Sequence, residues 1–524
     1  MRPRRTPLCA SLLALAPQEL GKTQVLQLPD GVSQREGELV DADGDGQLDL
    51  VVVAWAPDSQ RPRRVRVHYR RPGAAPFTTE PDYEVQLTDE VVAYAIADVH
   101  PDSGSEVVLV TAEGAFAWRP RAPNERQQVV LLARLPFLWQ VPSGGRVASW
   151  QRGVVDVDGD GDVDLLLPGP DGFRVLVQER ADGVDFSAQS FLRVPDDPED
   201  AVVDIGPSDS AQGSSSPSSS AAVGSSSDGS SLEFLLQFDD EVGSAAPLLS
   251  VTRELPVPWV IDWNADGRLD VLAQGRRELF VWQQVEGGRF PEDPLRLTLP
   301  VERDRKRELD LSYSAHVAHL DADRRADYVV VAGDKRSESV RTQVLLYRNG
   351  EGGPFPAGGL PTQLLVLAGF AGLPRLYDVD MDGLEDFVIG SFRPDLLDAI
   401  RSASSKTLDV EMILYRNLGG SFSKSPDMTW KVSLPLGSER FNARFFGDVT
   451  GDGLSDILLR RQEERVAIHM VRATNGRWSV VERPVWELNV ERKAQLRFAN
   501  GTHERPPELL VLEDRQVVHV RFAR

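Results

Sequence analysis

Asp41-Ala-Asp-Gly-Asp-Gly-Gln-Leu-Asp49 is the first of five acidic stretches of one design. The others are Asp156-Val-Asp-Gly-Asp-Gly-Asp-Val-Asp164, Asp262-Trp-Asn-Ala-Asp-Gly-Arg-Leu-Asp270, Asp378-Val-Asp-Met-Asp-Gly-Leu-Glu-Asp386 and Asp448-Val-Thr-Gly-Asp-Gly-Leu-Ser-Asp456. Each sets an oxygen-bearing side chain at positions 1, 3, 5 and 9 and glycine at position 6. Alternate residues of a tight loop can turn several such oxygens inward, which suits a hard cation such as Ca²⁺ with its about six to eight oxygen ligands. The glycine is expected at positive φ, where the turn is sharpest. Asp and Gly are also ordinary turn residues. Five copies of four clustered oxygens, however, repel themselves strongly enough to call for a cation.

Positions 1, 3 and 5 would also fit an EF-hand, which needs a glutamate at position 12 and flanking helices. Here position 12 is Val52, Leu167, Ala273, Ile389 or Leu459. The run after position 9 is apolar in each case, as in Leu50-Val-Val-Val-Ala54 and Leu165-Leu-Leu167. The loop therefore leads into a buried strand rather than a helix.

The elements that position these loops repeat with them. Worn copies fill the gaps: Asp98-Val-His-Pro-Asp-Ser-Gly-Ser-Glu106 precedes Val107–Val110, and Asp321-Ala-Asp323 precedes Tyr328–Val331. The second copy reads as two residues short, with Arg325 where the third acid belongs. The period is about sixty residues, the signature of a repeat architecture. An eighth copy lacks the acidic loop: Arg497–Gly501, then Glu508–Leu512. In each repeat one strand enters the loop and a second leaves it. A third carries an aromatic and then polar residues, as in Leu346-Tyr-Arg-Asn-Gly350 and Leu414-Tyr-Arg-Asn417. A fourth alternates, as in Tyr83–Leu87, Leu295–Leu299 and Trp430–Leu434. Four strands per repeat, many times over, predict an all-β chain folded as a β-propeller. The last repeat stops after its third strand at Val518–Phe522, while Thr23–Leu28 is an orphan strand of fourth-strand type. Pairing the two closes the ring and removes an open edge. Eight blades are expected, or seven if one worn repeat is not a blade.

These loops resemble the FG-GAP/VCBS repeats of integrin-α-type calcium-binding propellers, whose signature is Asp-x-Asp-x-Asp-Gly-x-x-Asp. The resemblance covers nearly all of residues 23–524. It implies Ca²⁺ at about five sites, each between the first two strands of a blade. The implied side-chain ligands are Asp41, Asp43, Asp45 and Asp49; Asp156, Asp158, Asp160 and Asp164; Asp262, Asn264, Asp266 and Asp270. They continue with Asp378, Asp380, Asp382 and Asp386, and with Asp448, Thr450, Asp452 and Asp456. Position 7 would lend a carbonyl. The Asp321 copy departs from the pattern, and no metal is expected there.

The net charge of −22 argues against a nucleic-acid partner, which needs a basic footprint. Met1-Arg-Pro-Arg-Arg5 followed by Leu8–Ala16 reads as a short secretory signal over residues 1–16. Cys9, the only cysteine, would leave with it, so no disulfide is expected. No later segment is apolar for long enough to span a membrane as a helix. Residues 206–231, rich in serine, cannot bury a core and read as a disordered insertion. The seven histidines include no zinc-binding His-Glu-x-x-His pair, and His316 and His319 read as structural. The expected role is a secreted, periplasmic or cell-surface scaffold that binds an extracellular protein or carbohydrate without catalysis. The alternative is a polysaccharide-active, lyase-like enzyme built on an eight-bladed ring, because propeller sites gather residues from different blades.

Overall fold

The computed structural model describes residues 20–28, 33–55, 63–73, 75–100, 104–111, 113–120, 128–134, 147–169, 171–179, 186, 188–195, 202–206, 231–237, 248–275, 277–300, 311–334, 341–350, 353, 359–371, 375–392, 407–435, 443–461, 464–474, 476–492, 494–499 and 507–522. The expected signal segment lies outside these residues, as does 207–230 of the serine-rich stretch. The ends of that stretch, Gly206 and Ser231, belong to strands of a three-stranded sheet, Val202–Gly206, Leu248–Pro256 and Ser231–Gln237. No helix among the described residues is long and apolar enough to cross a membrane.

Eight antiparallel sheets follow one another along the chain, each built in the order first, second, third, fourth strand. Blade 1 is Ser33–Val40, Asp49–Trp55, Arg63–His68 and Tyr83–Leu87. Blade 2 is Val91–Ala97, Glu106–Thr111, Gly114–Trp118 and Val129–Arg134, with Ala148–Ser149 added parallel to its first strand. Blade 3 is Val154–Val155, Asp164–Gly169, Gly172–Val177 and Ala188–Arg193, and blade 4 is Trp259–Ile261, Asp270–Gln274, Glu278–Trp282 and Leu295–Thr298. Blade 5 is Leu311–Ala318, Asp327–Asp334, Arg341–Tyr347 and Gln363–Ala368. In blade 6 the first strand is split into Phe370–Ala371 and Arg375–Tyr377, before Asp386–Phe392, Thr407–Tyr415 and Met428–Pro435. Blade 7 is Ala443–Gly447, Asp456–Arg461, Arg465–His469 and Trp486–Asn489, with the hairpin Val471–Thr474 and Arg477–Val480 inserted before its last strand. Blade 8 is Gln495–Ala499, Glu508–Leu512 and Gln516–Phe522, completed by the N-terminal strand Gly21–Gln27.

The expected closure is present: Thr23 pairs with Val520 and Leu26 with Val517, antiparallel. Burial explains the strand order. Second strands are apolar on both faces because each is covered by two neighbouring blades; Leu50, Val51, Val52 and Val53 are all essentially inaccessible. Fourth strands alternate between exposed and buried residues, the pattern of an outer edge. Apolar clusters then join blade to blade around the circle. They run from blade 1 to 2, through 2, 3 and 4, and on from 4 to 5, 5 to 6, 6 to 7 and 7 to 8. A last cluster of Leu26, Leu50, Val52, Leu510, Leu512 and Val517 joins blade 8 to blade 1. The fold is an eight-bladed β-propeller.

Candidate metal centres between first and second strands

Every second strand begins with an acid: Asp49, Glu106, Asp164, Asp270, Asp327, Asp386, Asp456 and Glu508. In the five full loops this is position 9, and its carboxylate is a latch. One oxygen accepts the N–H of position 2: Ala42 at 2.9 Å, Val157 at 2.7, Trp263 at 3.1, Val379 at 3.2 and Val449 at 3.0. The other accepts an N–H from the chain leaving the third strand: Arg70 at 2.7 Å, Gln178 at 2.8, Gln284 at 2.8, Asn417 at 2.8 and Val471 at 3.2. The latch thus ties both ends of the loop to the blade. Burial pushes these acids up, Asp49, Asp164 and Asp270 to about 6 and Asp386 and Asp456 to about 7, although the backbone donors pull the other way.

The rest of the loop is folded by its own carboxylates acting on nearby N–H groups. Asp41 accepts from Gly44 and Gly46, both at 2.8 Å, and Asp156 from Gly159 and Gly161 at 2.8 and 3.0 Å. Position 5 accepts from position 7 throughout, as Asp45 does from Gln47 at 2.7 Å. Position 6 has φ between 84° and 93° in all five loops, as its glycine implies. Position 4 is also left-handed, even where it is Ala265 at 61° or Met381 at 56°.

The result is a convergence of oxygens. One ligand atom from each of Asp41, Asp43 and Asp45 lies within 4.8 Å of the others, and so do those of Asp378, Asp380 and Asp382. In the second loop the group is Asp156, Asp158 and the latch Asp164, without Asp160. No three carboxylates of the Asp262 loop or of the Asp448 loop come that close. In the former Asn264 donates to Asp266, and Arg268 Nη2 sits 2.5 Å from the same carboxylate. In the latter Thr450 Oγ1 is buried without a partner. Asp380 Oδ1 is likewise buried and unpartnered, while Arg416 Nη2 lies 2.5 Å from its other oxygen. Converging carboxylates and orphaned oxygens are the donor chemistry a hard cation requires.

The worn loop of blade 5 corrects the sequence reading. Asp327 accepts the N–H of Asn349 at 2.9 Å and lies beside the backbone of Leu320, the two groups a latch engages, although its Oδ2 is left without a hydrogen bond. Counting back, position 1 is His319, and Asp321 and Asp323 are positions 3 and 5. The loop is full length. Arg324 stands at the glycine position with φ of 62°, and Arg325 does not displace an acid. Arg348, from the end of the third strand, pairs with Asp321 and reaches within 3.8 Å of Asp323. The misreading arose because a histidine in position 1 hides the start of the motif. In blade 2 the latch is Glu106, which accepts the N–H of Val99 at 3.0 Å.

The loops are also linked to one another. Gln284, Asn349 and Asn417 each donate a side-chain amide to a position 2 carbonyl of the preceding blade, Val157, Trp263 and Leu320, at 2.7 to 2.8 Å. Position 8 N–H groups do the same: Ser105 to Ala42 and Ser455 to Val379. At the seam Arg70 reaches Glu508, the latch equivalent of blade 8, at 2.6 Å, and His519 Nε2 lies 2.6 Å from the same oxygen. Burial pushes the Glu508 carboxyl up, and His519 and Arg70 outweigh it, holding it below the usual range.

No protein-family model matches the chain, and neither does any curated protein. Among solved structures it is similar to an Agrocybe aegerita lectin that recognises non-reducing terminal N-acetylglucosamine, at 14% identity over 89% of this chain and 94% of that one, with a TM-score of 0.35. It is similar as well to the V. cholerae biofilm matrix protein Bap1, at 12% identity over 96% of this chain and 89% of that one, with a TM-score of 0.37. At this identity and overlap neither likeness carries a function across.

Proposed function

We propose that the chain is a calcium-stabilised propeller of FG-GAP/VCBS type that works outside the cytoplasm as a non-catalytic scaffold for a protein or carbohydrate. The observation that carries this reading is the convergence of carboxylates at positions 1, 3 and 5 of the Asp41 and Asp378 loops. Ca²⁺ held there would offset charge that the fold concentrates, and the links between loops would pass the stiffening from blade to blade. Extracellular modules bind Ca²⁺ at about 10⁻⁴–10⁻³ M, a range that fills where calcium is plentiful. Rigid loops on one rim then offer a broad face for a partner.

The test has two arms. Elemental analysis and melting curves with calcium or excess EGTA address the metal; several equivalents and a lower melting temperature in EGTA are expected. A glycan array, an extracellular-protein binding screen and a lyase assay on the same protein address the role. An unchanged melting curve with no bound metal would remove calcium from the reading. Release of unsaturated sugar ends would replace the scaffold with an enzyme.

A further inference from the structure

The first strands surround the axis of the ring, and their register lines up one rung. The rung is defined by pairing two residues past the acid that opens the second strand. It holds Glu38 opposite Val51, Ala95 opposite Val108, Trp259 opposite Leu272 and His316 opposite Val329. It continues with Arg375 opposite Val388, Arg444 opposite Leu458 and Arg497 opposite Leu510. Blades 5 to 8 therefore present His, Arg, Arg, Arg in succession. These side chains reach toward the next blade: Arg497 to Glu36 at 2.6 Å, Arg444 over the Phe498 ring with Cζ 3.6 Å from its centroid, and Glu38 to the Tyr94 hydroxyl at 3.2 Å.

Three of these cations are not alike. Arg497 is offset by Glu36. Arg375 and Arg444 have no acidic partner among the described residues; Arg375 donates only a long 3.4 Å contact to Tyr377, and Arg444 Nε is buried without an acceptor. His316 Nε2 is buried and unpartnered too. Burial lowers the Arg444 guanidinium first of all, and Arg375 and Arg497 lower it further while Tyr377 works against them. Burial, and then Arg375, hold His316 down at about 4, so it is a neutral donor or acceptor at ordinary pH.

We propose that His316, Arg375 and Arg444 form an anion site on the inner wall of the ring that binds the carboxylate of a small acidic ligand. Guanidinium forks match a carboxylate in two-point fashion. A monoanion fits the local balance: Arg375 and Arg444 are without acidic partners among the described residues, Arg497 is offset by Glu36, and Glu38 lies further along the same rung. The site is separate from the acidic loops and does not depend on whether they hold calcium.

The experiment is isothermal titration of the full chain in calcium-containing buffer. The probes are galacturonate, lactate, neutral galactose and inorganic phosphate. Binding of galacturonate or lactate without galactose is expected, and the comparison of the two carboxylates separates a sugar acid from a simple organic acid. Arg375→Gln and Arg444→Gln should each weaken that binding about tenfold or more. Arg375 is exposed, so its variant carries the test if Arg444→Gln does not fold. No carboxylate binding at millimolar concentration overturns the proposal. So does affinity unchanged by both substitutions, or tighter binding of phosphate than of either carboxylate.

Discussion

In the Asp41 loop three carboxylates face one another, whereas in the His319 loop an arginine from the third strand has moved in among the acids. The backbone frame is the same. Both loops are latched by an acid seven residues after position 2, and both latches also hold the exit of the third strand. The comparison separates two jobs that the sequence motif merges. Position 9 ties the loop to the blade, and positions 1, 3 and 5 supply the oxygens that would load it, joined in the Asp156 loop by the latch itself in place of position 5. Where the acids at positions 1, 3 and 5 are incomplete, an acid still opens the second strand, as Glu106, Asp327 and Glu508 do.

The sharpest way to break this division is to remove the latch. Asp164→Ala leaves two backbone N–H groups without their acceptor in a buried place, and Asp327→Ala leaves one, that of Asn349. Hydrogen bonds to charged groups contribute about 1.5–3 kcal/mol each, so a loss of roughly 3–6 kcal/mol is expected in Asp164→Ala and about half of that in Asp327→Ala. Chemical denaturation in EGTA measures it. A loss in Asp164→Ala that appears only when calcium replaces EGTA would mean that position 9 acts through metal rather than through the frame.

Loading comes second in size. Calcium at about 100 times its dissociation constant would add about 2.7 kcal/mol per filled loop. Asp43→Asn and Asp158→Asn should each remove one such increment and leave the melting temperature in EGTA nearly unchanged. Equal losses with and without calcium would make these residues structural, like the latch.

Much of this was legible in the chain. Period-two strands and the acidic repeat gave the propeller, and the orphan Thr23–Leu28 pointed to the seam where Thr23 now meets Val520. Glycine at position 6 foretold its positive φ. What could not be read was partnership. The acid that opens each second strand is visible in all eight repeats, yet only the folded blade reveals that in the five full loops both its oxygens are taken by backbone, while Glu508 is held by the Arg70 and His519 side chains. Arg348 and Arg416 sit in matching Leu-Tyr-Arg-Asn strings, and nothing local says that each turns back into the loop of its own blade. The inner rung depends on register, including the bulge between Phe445 and Gly447 that brings Arg444 onto it.

The arginine of the worn loop gives the third test. Asp321 is buried, and removing its cation with Arg348→Gln leaves it exposed to the repulsion of Asp323. A loss of about 1–3 kcal/mol is expected. Calcium should not restore it, because His319 offers nitrogen where a hard cation wants oxygen. Adding His319→Asp and Arg324→Gly to Arg348→Gln should create a calcium-dependent rise in melting temperature. If Arg348→Gln alone responds to calcium, the worn loop was never worn.

The smallest effect belongs to the loop that lies between these extremes. The Asp378 loop has its three converging acids and, at the same time, Arg416 against Asp380. Arg416 also lies over the Trp478 ring, 5.0 Å from its centroid, on the hairpin of blade 7. This arginine would compete with a cation for one carboxylate. Arg416→Gln should cost less than about 1 kcal/mol in EGTA, since a partly exposed ion pair contributes little. It should nevertheless tighten calcium binding, because Asp380 is then free to turn both oxygens inward. Titration of calcium into wild type and Arg416→Gln, with Asp380→Asn as the control, reads the difference. Identical isotherms for the first two would show that the arginine lies beside the site rather than in it. The boundary between loaded and arginine-filled loops would then fall between blades 5 and 6.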